Sequence, residues 1–424
     1  MNIVDLYTHS NTKTLFEKTI DEWNLSMQRS RSLSILNSKT DIITPIELVE
    51  EIILKIISGN HPSQIMTWHW LDPCAGRGTF GYVIFRILFK FLKDEIPDDI
   101  IRKKHILDHI HLVEINKSAY NNLTKDFVNV LNENSLGYKF KMKFDVIIGN
   151  PPYQPFSKKD SGKGNGSRNK IWHKFIEIGF INLKQNGIMS MITPNNWRTG
   201  NFTNGVHKNA QKLIWNSSII EFGDAKKYFP KIGYSINIDY WIIKNDNLAS
   251  INIALPKEYK KFMLIPKSID NDTVLSFFKA IESEDEIIIN MDINLHDRRK
   301  YSCIRSEKGD NIHKYPHLNS FAQFKDNLRD WYDQKTDGFN NKKVIIFDSG
   351  NIGPIYDKNG DFGTGSGAYA YTVTNDEDAS FIIKFFQSSE YNKIKSNFTQ
   401  ENALRNPNYL FRKLPKKWIQ NNIK

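Results

Sequence analysis

Cysteine is scarce in this chain. Cys74 and Cys303 are its two cysteines in 424 residues, so disulfides are not the framework and a reducing cytoplasm is the expected setting. Long apolar runs are lacking as well. The stretch from Ile84 to Leu92 and the pair Ile242 and Ile243 are interrupted by charged residues well before the roughly 20 residues that a membrane span needs, so no membrane association is expected. The opening MNIVDLYTHSNTKTLFEKTI shows no basic segment leading into an apolar one and no small-residue cleavage site, hence no secretory leader is expected. No Gly-Lys-Ser or Gly-Lys-Thr follows a glycine turn, which argues against a phosphate-binding P-loop. Neither a His/Cys cluster nor a paired-carboxylate site stands out, so no metal is expected. Acidic residues are outnumbered, 47 against 58 Lys plus Arg, leaving a formal charge of +11. That excess favours polyanionic partners, and equally suits plain solubility in a chain rich in Lys, Asn and Ile. What is plentiful is core material: 40% hydrophobic and 12% aromatic residues exclude disorder, and the length suggests roughly two or three domains.

From Ile42 to about Lys244 helix-like and strand-like segments alternate, the pattern of an α/β unit with a parallel sheet. Ile46, Val49, Ile52, Ile53 and Ile56 recur at helical spacing behind Thr44-Pro45, a helix-start signal. TWHWLDPCAGRGTF reads as a strand entering a glycine turn, followed by an apolar helix from about Thr79 to Leu92. Strands are expected at His109 to Ile115, Phe144 to Asn150 and Gly187 to Pro194, with helices at Lys117 to Leu131 and Ile171 to Lys184. Beyond about Asn245 the texture changes to short apolar pieces between charged and glycine-rich turns, which predicts a second domain. Its stretch from Ser349 to Tyr371 is too rich in glycine for a helix and is expected to form exposed turns between short strands.

Two constellations carry chemistry. In Asp72-Pro73-Cys74-Ala75-Gly76-Arg77-Gly78-Thr79-Phe80 a strand gives way to a helix, so Gly76 and Gly78 are free to take positive φ and bring backbone N–H groups against a ligand. The next strand ends in Glu114, an acceptor suited to two ribose hydroxyls. Asp72 would repel phosphate, which points to a nucleoside bearing positive charge. The second constellation is Asn150-Pro151-Pro152-Tyr153 at the end of a strand. Two consecutive prolines fix φ and remove two donors, leaving carbonyls free to face a ligand. An exocyclic aromatic amine or an amide nitrogen is a poor nucleophile because its lone pair is delocalised. If the Asn150 side-chain oxygen and the Pro151 carbonyl each accept one of its N–H groups, the lone pair turns toward an electrophilic methyl group. Tyr153 would stack on the flat base.

With these residues in place, the segment from about Thr44 to Lys244 resembles the N6-adenine DNA methyltransferases of restriction-modification systems. The resemblance implies an α/β fold: a Rossmann-like, seven-stranded sheet that binds S-adenosylmethionine. DPCAGRGTF resembles the family's cofactor loop, with Cys74 and Ala75 in the reverse of the commoner order. It implies that Asp72, Ala75, Gly76, Gly78 and Phe80 line the cofactor pocket, that Glu114 holds the ribose with Ile115 beside it, and that Thr44 covers the methionine end. NPPY matches the catalytic motif, which assigns its roles to Asn150, Pro151, Pro152 and Tyr153, and the Asn at its head favours adenine over cytosine N4. KYFPKIGYSINIDYWIIK resembles the segment whose aromatic residue packs on the other face of the flipped adenine, and Phe229 is the matching position. The acid that usually follows the third strand has no match here; Asn132 and Asn134 are the candidates to replace it.

The cofactor motif precedes the catalytic one with little chain between them, which resembles the gamma arrangement. It implies an N-terminal helical extension over residues 1–40, a catalytic domain over 41–245 and a C-terminal mixed α+β target-recognition domain over 246–424. Lys158, Lys159, Lys163 and Arg168 in a basic loop, and Arg298, Arg299 and Lys300 further on, are candidate DNA contacts. The expected partner is double-stranded DNA, with a separately encoded restriction endonuclease alongside, and the chain is expected to act as a monomer. Rival readings are methylation of a protein glutamine, methylation of RNA adenine, and a non-catalytic specificity subunit.

Overall fold

The computed structural model describes residues 18–32, 43–153, 170–198, 208–229, 237–246, 265–266, 271–292, 301–320, 326–347, 353–365, 367–398 and 408–423. The chain divides into two compact units, one comprising Met1–Ile232 with Ile238–Ala254, the other Gly233–Asn237 with Leu255–Lys424.

In the first unit the elements run α1 (Ile20–Ser32), α2 (Ile46–Ile57), α3 (Pro62–Ile65), β1 (Trp70–Asp72), α4 (Thr79–Phe91), α5 (Asp99–His109), β2 (Ile110–Val113), α6 (Lys117–Leu123) and β3 (Asn129–Leu131). They continue with β4 (Phe144–Gly149), α7 (Trp172–Asn182), β5 (Leu183–Pro194), α8 (Lys208–Trp215), β6 (Ser218–Asp224) and β7 (Ile238–Lys244). Seven strands form one sheet in the order β3-β2-β1-β4-β5-β7-β6. Neighbours from β3 to β5 are parallel, while β7 runs antiparallel to both β5 and β6. The strand order reverses between β1 and β4, and in an open α/β sheet the crevice outside the carboxyl ends at that point is the ligand site. The α/β class expected from the sequence is therefore the one observed.

Local physics accounts for the elements that frame this crevice. Pro45, extended at φ −61° and ψ 139°, precedes α2, whose Leu48, Val49, Ile52, Ile53, Ile56 and Ile57 are all buried. The helix α4 starts directly after Gly78, which sits in the left-handed region at φ 77°. A side chain there would strain the backbone and collide with Leu123. Residues Thr79 to Phe85 of α4 are buried throughout, and α1 covers the helix by stacking Trp23 on Phe85 at 4.1 Å between ring centroids.

Two elements differ from the sequence expectation. The helix expected from Lys117 to Leu131 stops at Leu123, and Asn129–Leu131 pairs instead with β2 as an edge strand. Phe127 is the cause: its ring lies 4.9 Å from that of Tyr82 and against Gly81, a burial that a continued helix would not allow. The helix α5 was not expected, because its face carries Arg102, Lys103 and Lys104 and its apolar stripe is thin; Asp98 caps it by accepting from the N–H groups of Ile100 and Ile101.

At the amino ends of the strands, opposite the crevice, four histidines adjoin. His69 Nδ1 lies 3.1 Å from His111 Nε2, and the His109 ring is 4.3 Å from those of His69 and His105. Burial pushes His111 down to about 4 and lowers His69 and His109 as well. Among the described residues no group of His, Cys, Asp or Glu is arranged to hold a metal ion.

The second unit is mixed α+β. Its strands are β8 (Ile288–Asn290), β9 (Cys303–Ser306), β10 (Tyr315–Leu318), β11 (Arg329–Tyr332), β12 (Lys343–Phe347), β13 (Ile355–Asp357), β14 (Gly363–Thr364), β15 (Ala368–Thr372) and β16 (Lys413–Pro415). They form sheets ordered β14-β10-β11-β9, β13-β12-β15 and β16-β8. An aromatic core joins the helices Asp272–Ile281, Asp376–Gln387 and Lys416–Asn422, with the Phe277 ring 5.8 Å from Phe385 and 5.2 Å from Trp418. Lys343 is buried and pairs with Asp357 at 2.5 Å, also donating to the carbonyls of Gly338 and Asn341.

The glycine-rich stretch forms short strands with an exposed turn at Lys358 and Asn359, as expected, but part of it is buried. Gly363, Thr364 and Gly365 are buried, and side chains at 363 and 365 would collide with His317 and Asn319 respectively. These glycines allow close packing of β14 and the residue after it against β10 and Asn319. Among the described residues no helix is long and apolar enough to cross a membrane.

Candidate active site

Three strand ends converge on the crevice: Asp72 closes β1, Glu114 follows β2 and Asn150 follows β4. The β1 loop turns through Gly76 and Gly78, at φ 54° and 77°, the positive values expected of them. Their N–H groups, however, are used inside the protein. Ala75 N–H donates to the Val113 carbonyl and Gly78 N–H to the Ala75 carbonyl, while Gly76 N–H donates to Glu114 Oε2 at 2.6 Å. The expectation that these groups face a ligand is therefore corrected: they build the turn and moor the carboxylate. Glu114 Oε1 accepts from Asn116 N–H at 2.7 Å, so each carboxylate oxygen is held by one backbone donor at a buried position. A carboxylate oxygen accepts more than one hydrogen bond, so the moored group is pre-aimed rather than used up.

Ile115 is 54% exposed, a large apolar side chain left in the open beside Glu114. Phe80 and Ala75 are buried. Of the two residues considered in place of the missing acid, Asn132 donates from its amide to the carbonyls of Glu114 and Ile115, and Asn134 accepts from Leu136 N–H within its own turn. Asn132 thus supports the β2 end. The sequence reading missed Ser135, which is buried and donates to the Pro73 carbonyl at 2.6 Å, tying the turn after β3 to the cofactor loop.

Asp72 is 2% exposed. Its Oδ1 accepts from Cys74 N–H at 3.0 Å, and its Oδ2 is buried with no hydrogen-bond partner. Burial, with the Glu114 carboxylate adding to it, pushes the Asp72 carboxyl up to about 7, against a partial offset from Cys74 N–H. The Cys74 thiol is pushed well above its usual range by the same burial and by Asp72 and Glu114. A buried acceptor without a partner at the carboxyl end of β1 is the arrangement a positively charged ligand completes. The residues therefore fit S-adenosylmethionine: Asp72 for its positive charge and Glu114 for its ribose, with Ile115 available to its adenine. The sign of the pH effect follows. Below pH 7 Asp72 holds a proton that a cationic ligand must displace, so affinity should fall as pH drops, by up to about tenfold per unit. Calorimetry of cofactor binding in buffers of different ionisation enthalpy should register proton release near pH 7, and pH-independent affinity between 5 and 7 would contradict this role.

On the other side of the crevice, Gly149 lets the strands close. A side chain there would stand 3.0 Å from Asp72 Oδ1 and 3.3 Å from Cys74 Sγ, another requirement the sequence reading missed. Asn150 is half-buried, and its Nδ2 donates to Thr44 Oγ1 at 3.2 Å. Among the described residues no donor reaches its Oδ1 or the Pro151 carbonyl. Pro151 is buried, while Pro152 and Tyr153 are half-buried, and the Tyr153 carbonyl accepts from Ile171 N–H at 3.1 Å, joining the catalytic turn to the start of α7. Thr44, expected beside the cofactor, is brought to Asn150. Phe229 is 5% exposed at the end of a short turn whose Tyr228 donates to Glu51. A buried ion pair also escaped the sequence reading: Arg198, following β5, grips Asp239 of β7 at 2.6 and 2.9 Å. Lys158, Lys159, Lys163, Arg168, Arg298, Arg299 and Lys300 lie outside the described residues.

The chain is similar to several known proteins. An adenine-specific methylase of Mycoplasma pneumoniae, itself uncharacterized, is 24% identical over 363 residues, covering 64% of this chain and 82% of its own. Among solved structures, a type I restriction-modification methyltransferase subunit from Streptococcus thermophilus matches with 16% identity and a TM-score of 0.33, over 49% of this chain and 46% of that one. The type IIG restriction endonuclease BpuSI matches over 95% of this chain and 60% of its own, with 12% identity and a TM-score of 0.42. The family model for Eco57I restriction-modification methylases matches residues 27–229, the span that holds α2, the cofactor loop, Glu114 and the NPPY turn. Over this segment the chain is similar to the Eco57I restriction-modification methylases.

Proposed function

We propose that this protein methylates N6 of adenine in double-stranded DNA and serves as the modification component of a restriction-modification system. It is an S-adenosylmethionine-dependent, adenine-specific DNA methyltransferase. The observation that carries this reading is the pair of acceptors left open at the end of β4: Asn150 Oδ1, with its amide tethered through Nδ2, and the Pro151 carbonyl. Two acceptors side by side suit the two N–H groups of a planar amine. Held by both, the amine gives up part of its conjugation and directs its lone pair across the crevice. S-adenosylmethionine, when bound, supplies the electrophilic methyl group. Neither acceptor is basic enough to deprotonate the amine beforehand, so activation is geometric. A base inside a duplex cannot reach this turn, so the target adenine leaves the stack, with Tyr153 on one face and Phe229 on the other.

In this reading residues 41–245 are the catalytic domain, preceded by the helical extension over residues 1–40, and residues 246–424 choose the DNA site. The basic residues of the 154–169 loop and of 298–300 contact phosphates. The enzyme works in the cytoplasm as a monomer, with a separately encoded endonuclease as its counterpart. Methylation of protein glutamine fits less well, because it gives no use to a C-terminal region of this length.

Labelled S-adenosylmethionine and mixed-sequence duplex DNA should yield labelled N6-methyladenine, and 2-aminopurine at the target position should brighten on binding. Label in protein, in cytosine, or only in RNA would overturn the reading.

A further inference from the structure

We infer that the Thr44 hydroxyl is the positioning group that holds the Asn150 amide in place, with Arg31 fixing Thr44 in turn. The inference rests on the methyl-transfer reading above and goes beyond it by giving Thr44 a role toward the catalytic amide instead of the cofactor.

An Asn side chain has two orientations of nearly the same shape, related by exchange of its oxygen and nitrogen. Only one of them helps here. With Nδ2 toward Thr44 Oγ1, at 3.2 Å, Oδ1 remains as the acceptor for the target amine. In the opposite orientation the NH2 group meets the amine, donor against donor, and the acceptor is lost. A hydroxyl fits either orientation, since it both donates and accepts; in the structure Thr44, 106 residues away in sequence, accepts from Nδ2 and so holds the useful one.

Thr44 is well held for the task. It is 7% exposed, so water competes little for its hydroxyl. As the residue before Pro45 its backbone is confined to extended conformations, and its β-branch stiffens χ1. Its carbonyl accepts from Arg31 Nη1 at 2.7 Å, and the same nitrogen donates to Thr79 Oγ1 at 3.0 Å in the first turn of α4. The anchor is reciprocal: Ser30 donates to the Arg77 carbonyl at 2.7 Å, and the Arg77 guanidinium donates to the Arg31 carbonyl. The end of α1 therefore joins the cofactor loop, Thr44 and, through Thr44, the catalytic amide.

The test uses the full chain. Thr44→Val keeps the shape and removes the hydroxyl. It should lower kcat by about 10- to 100-fold while the Kd for S-adenosylmethionine stays within about threefold, and Thr44→Ser should bring kcat back to within about threefold of wild type. Introduced into Asn150→Ala, Thr44→Val should cause no further loss, because the two residues act as one unit. The Asn150 side-chain amide protons should exchange with water faster in Thr44→Val than in wild type. Thr44→Ala should reproduce the kcat loss, which guards against a packing fault peculiar to valine. Wild-type kcat in Thr44→Val would overturn the inference. So would a loss confined to cofactor affinity, which would return Thr44 to the cofactor wall. Failure of the wild-type enzyme to make N6-methyladenine would instead overturn the function itself.

Discussion

Asn150→Ala should reduce methyl transfer by on the order of a thousandfold while cofactor affinity stays within about threefold of wild type. Among the described residues the side chain makes one hydrogen bond, to Thr44, and its remaining oxygen has the reacting amine as its proposed partner. Truncation removes an interaction made at the reacting atom and leaves the walls of the cofactor crevice, which belong to the ends of β1 and β2, untouched. The backbone of the turn should survive, because Pro151 and Pro152 restrict it independently of the side chain before them. Asn150→Asp is the informative companion: it keeps an acceptor and loses the Nδ2 donor, so it should retain more activity than alanine. Single-turnover rates at saturating cofactor, with affinity measured separately by calorimetry, separate the two quantities. If Asn150→Ala weakened cofactor binding as much as it slowed transfer, with folding intact, the assignment of Asn150 to the base would be wrong.

Glu114→Ala should do the reverse. Hydrogen bonds to a charged group are worth about 1.5–3 kcal/mol each, so loss of a carboxylate proposed to engage both ribose hydroxyls should weaken S-adenosylmethionine binding by about a hundredfold or more. The same variant releases the N–H groups of Gly76 and Asn116, and with them the turn that shapes the pocket. Glu114→Gln separates the contributions, since one amide oxygen still accepts and the shape is kept; an intermediate loss of about tenfold is expected. At cofactor concentrations high enough to fill the weakened site, transfer should largely return in Glu114→Gln, which Asn150→Ala cannot match. Unchanged affinity in Glu114→Ala would remove this residue from the pocket.

Much of the catalytic half was legible because its signals are local. Two prolines behind Asn150 restrict the backbone and two glycines behind Asp72 free it to turn, each by its own stereochemistry, and the glycine φ values are positive as expected. What escaped depends on neighbours distant in the sequence. Ser135 reaches Pro73 across 62 residues, and Arg31 matters only because Thr44, Arg77 and Thr79 happen to meet it. The edge strand β3 was hidden by a locally helical pattern that sheet pairing with β2 overrode. In the second unit composition misled: glycine permits an exposed turn and also permits backbones to touch, and at Gly363 and Gly365 the second use applies. Lys143 and Lys184 look alike in sequence, yet Lys184 pairs with Asp145 beside the histidine cluster, a role set by the sheet and by nothing in its own segment.

The buried Lys343 gives the second unit a further property. Asp357 accepts from the N–H groups of Asp361 and Phe362 at 2.8 and 3.0 Å and curls the segment Asp357-Lys358-Asn359-Gly360-Asp361 around itself. Acid-rich turns of this shape gather negative charge that has to be neutralised, commonly from solution. Here the neutralising cation is covalently part of β12, seated against Asp357 and the carbonyls of Gly338 and Asn341. Sheltered from counterions, the pair is screened far less than a surface contact. The turn is thus held by a cation built into the chain, with little dependence on the ionic strength around the protein.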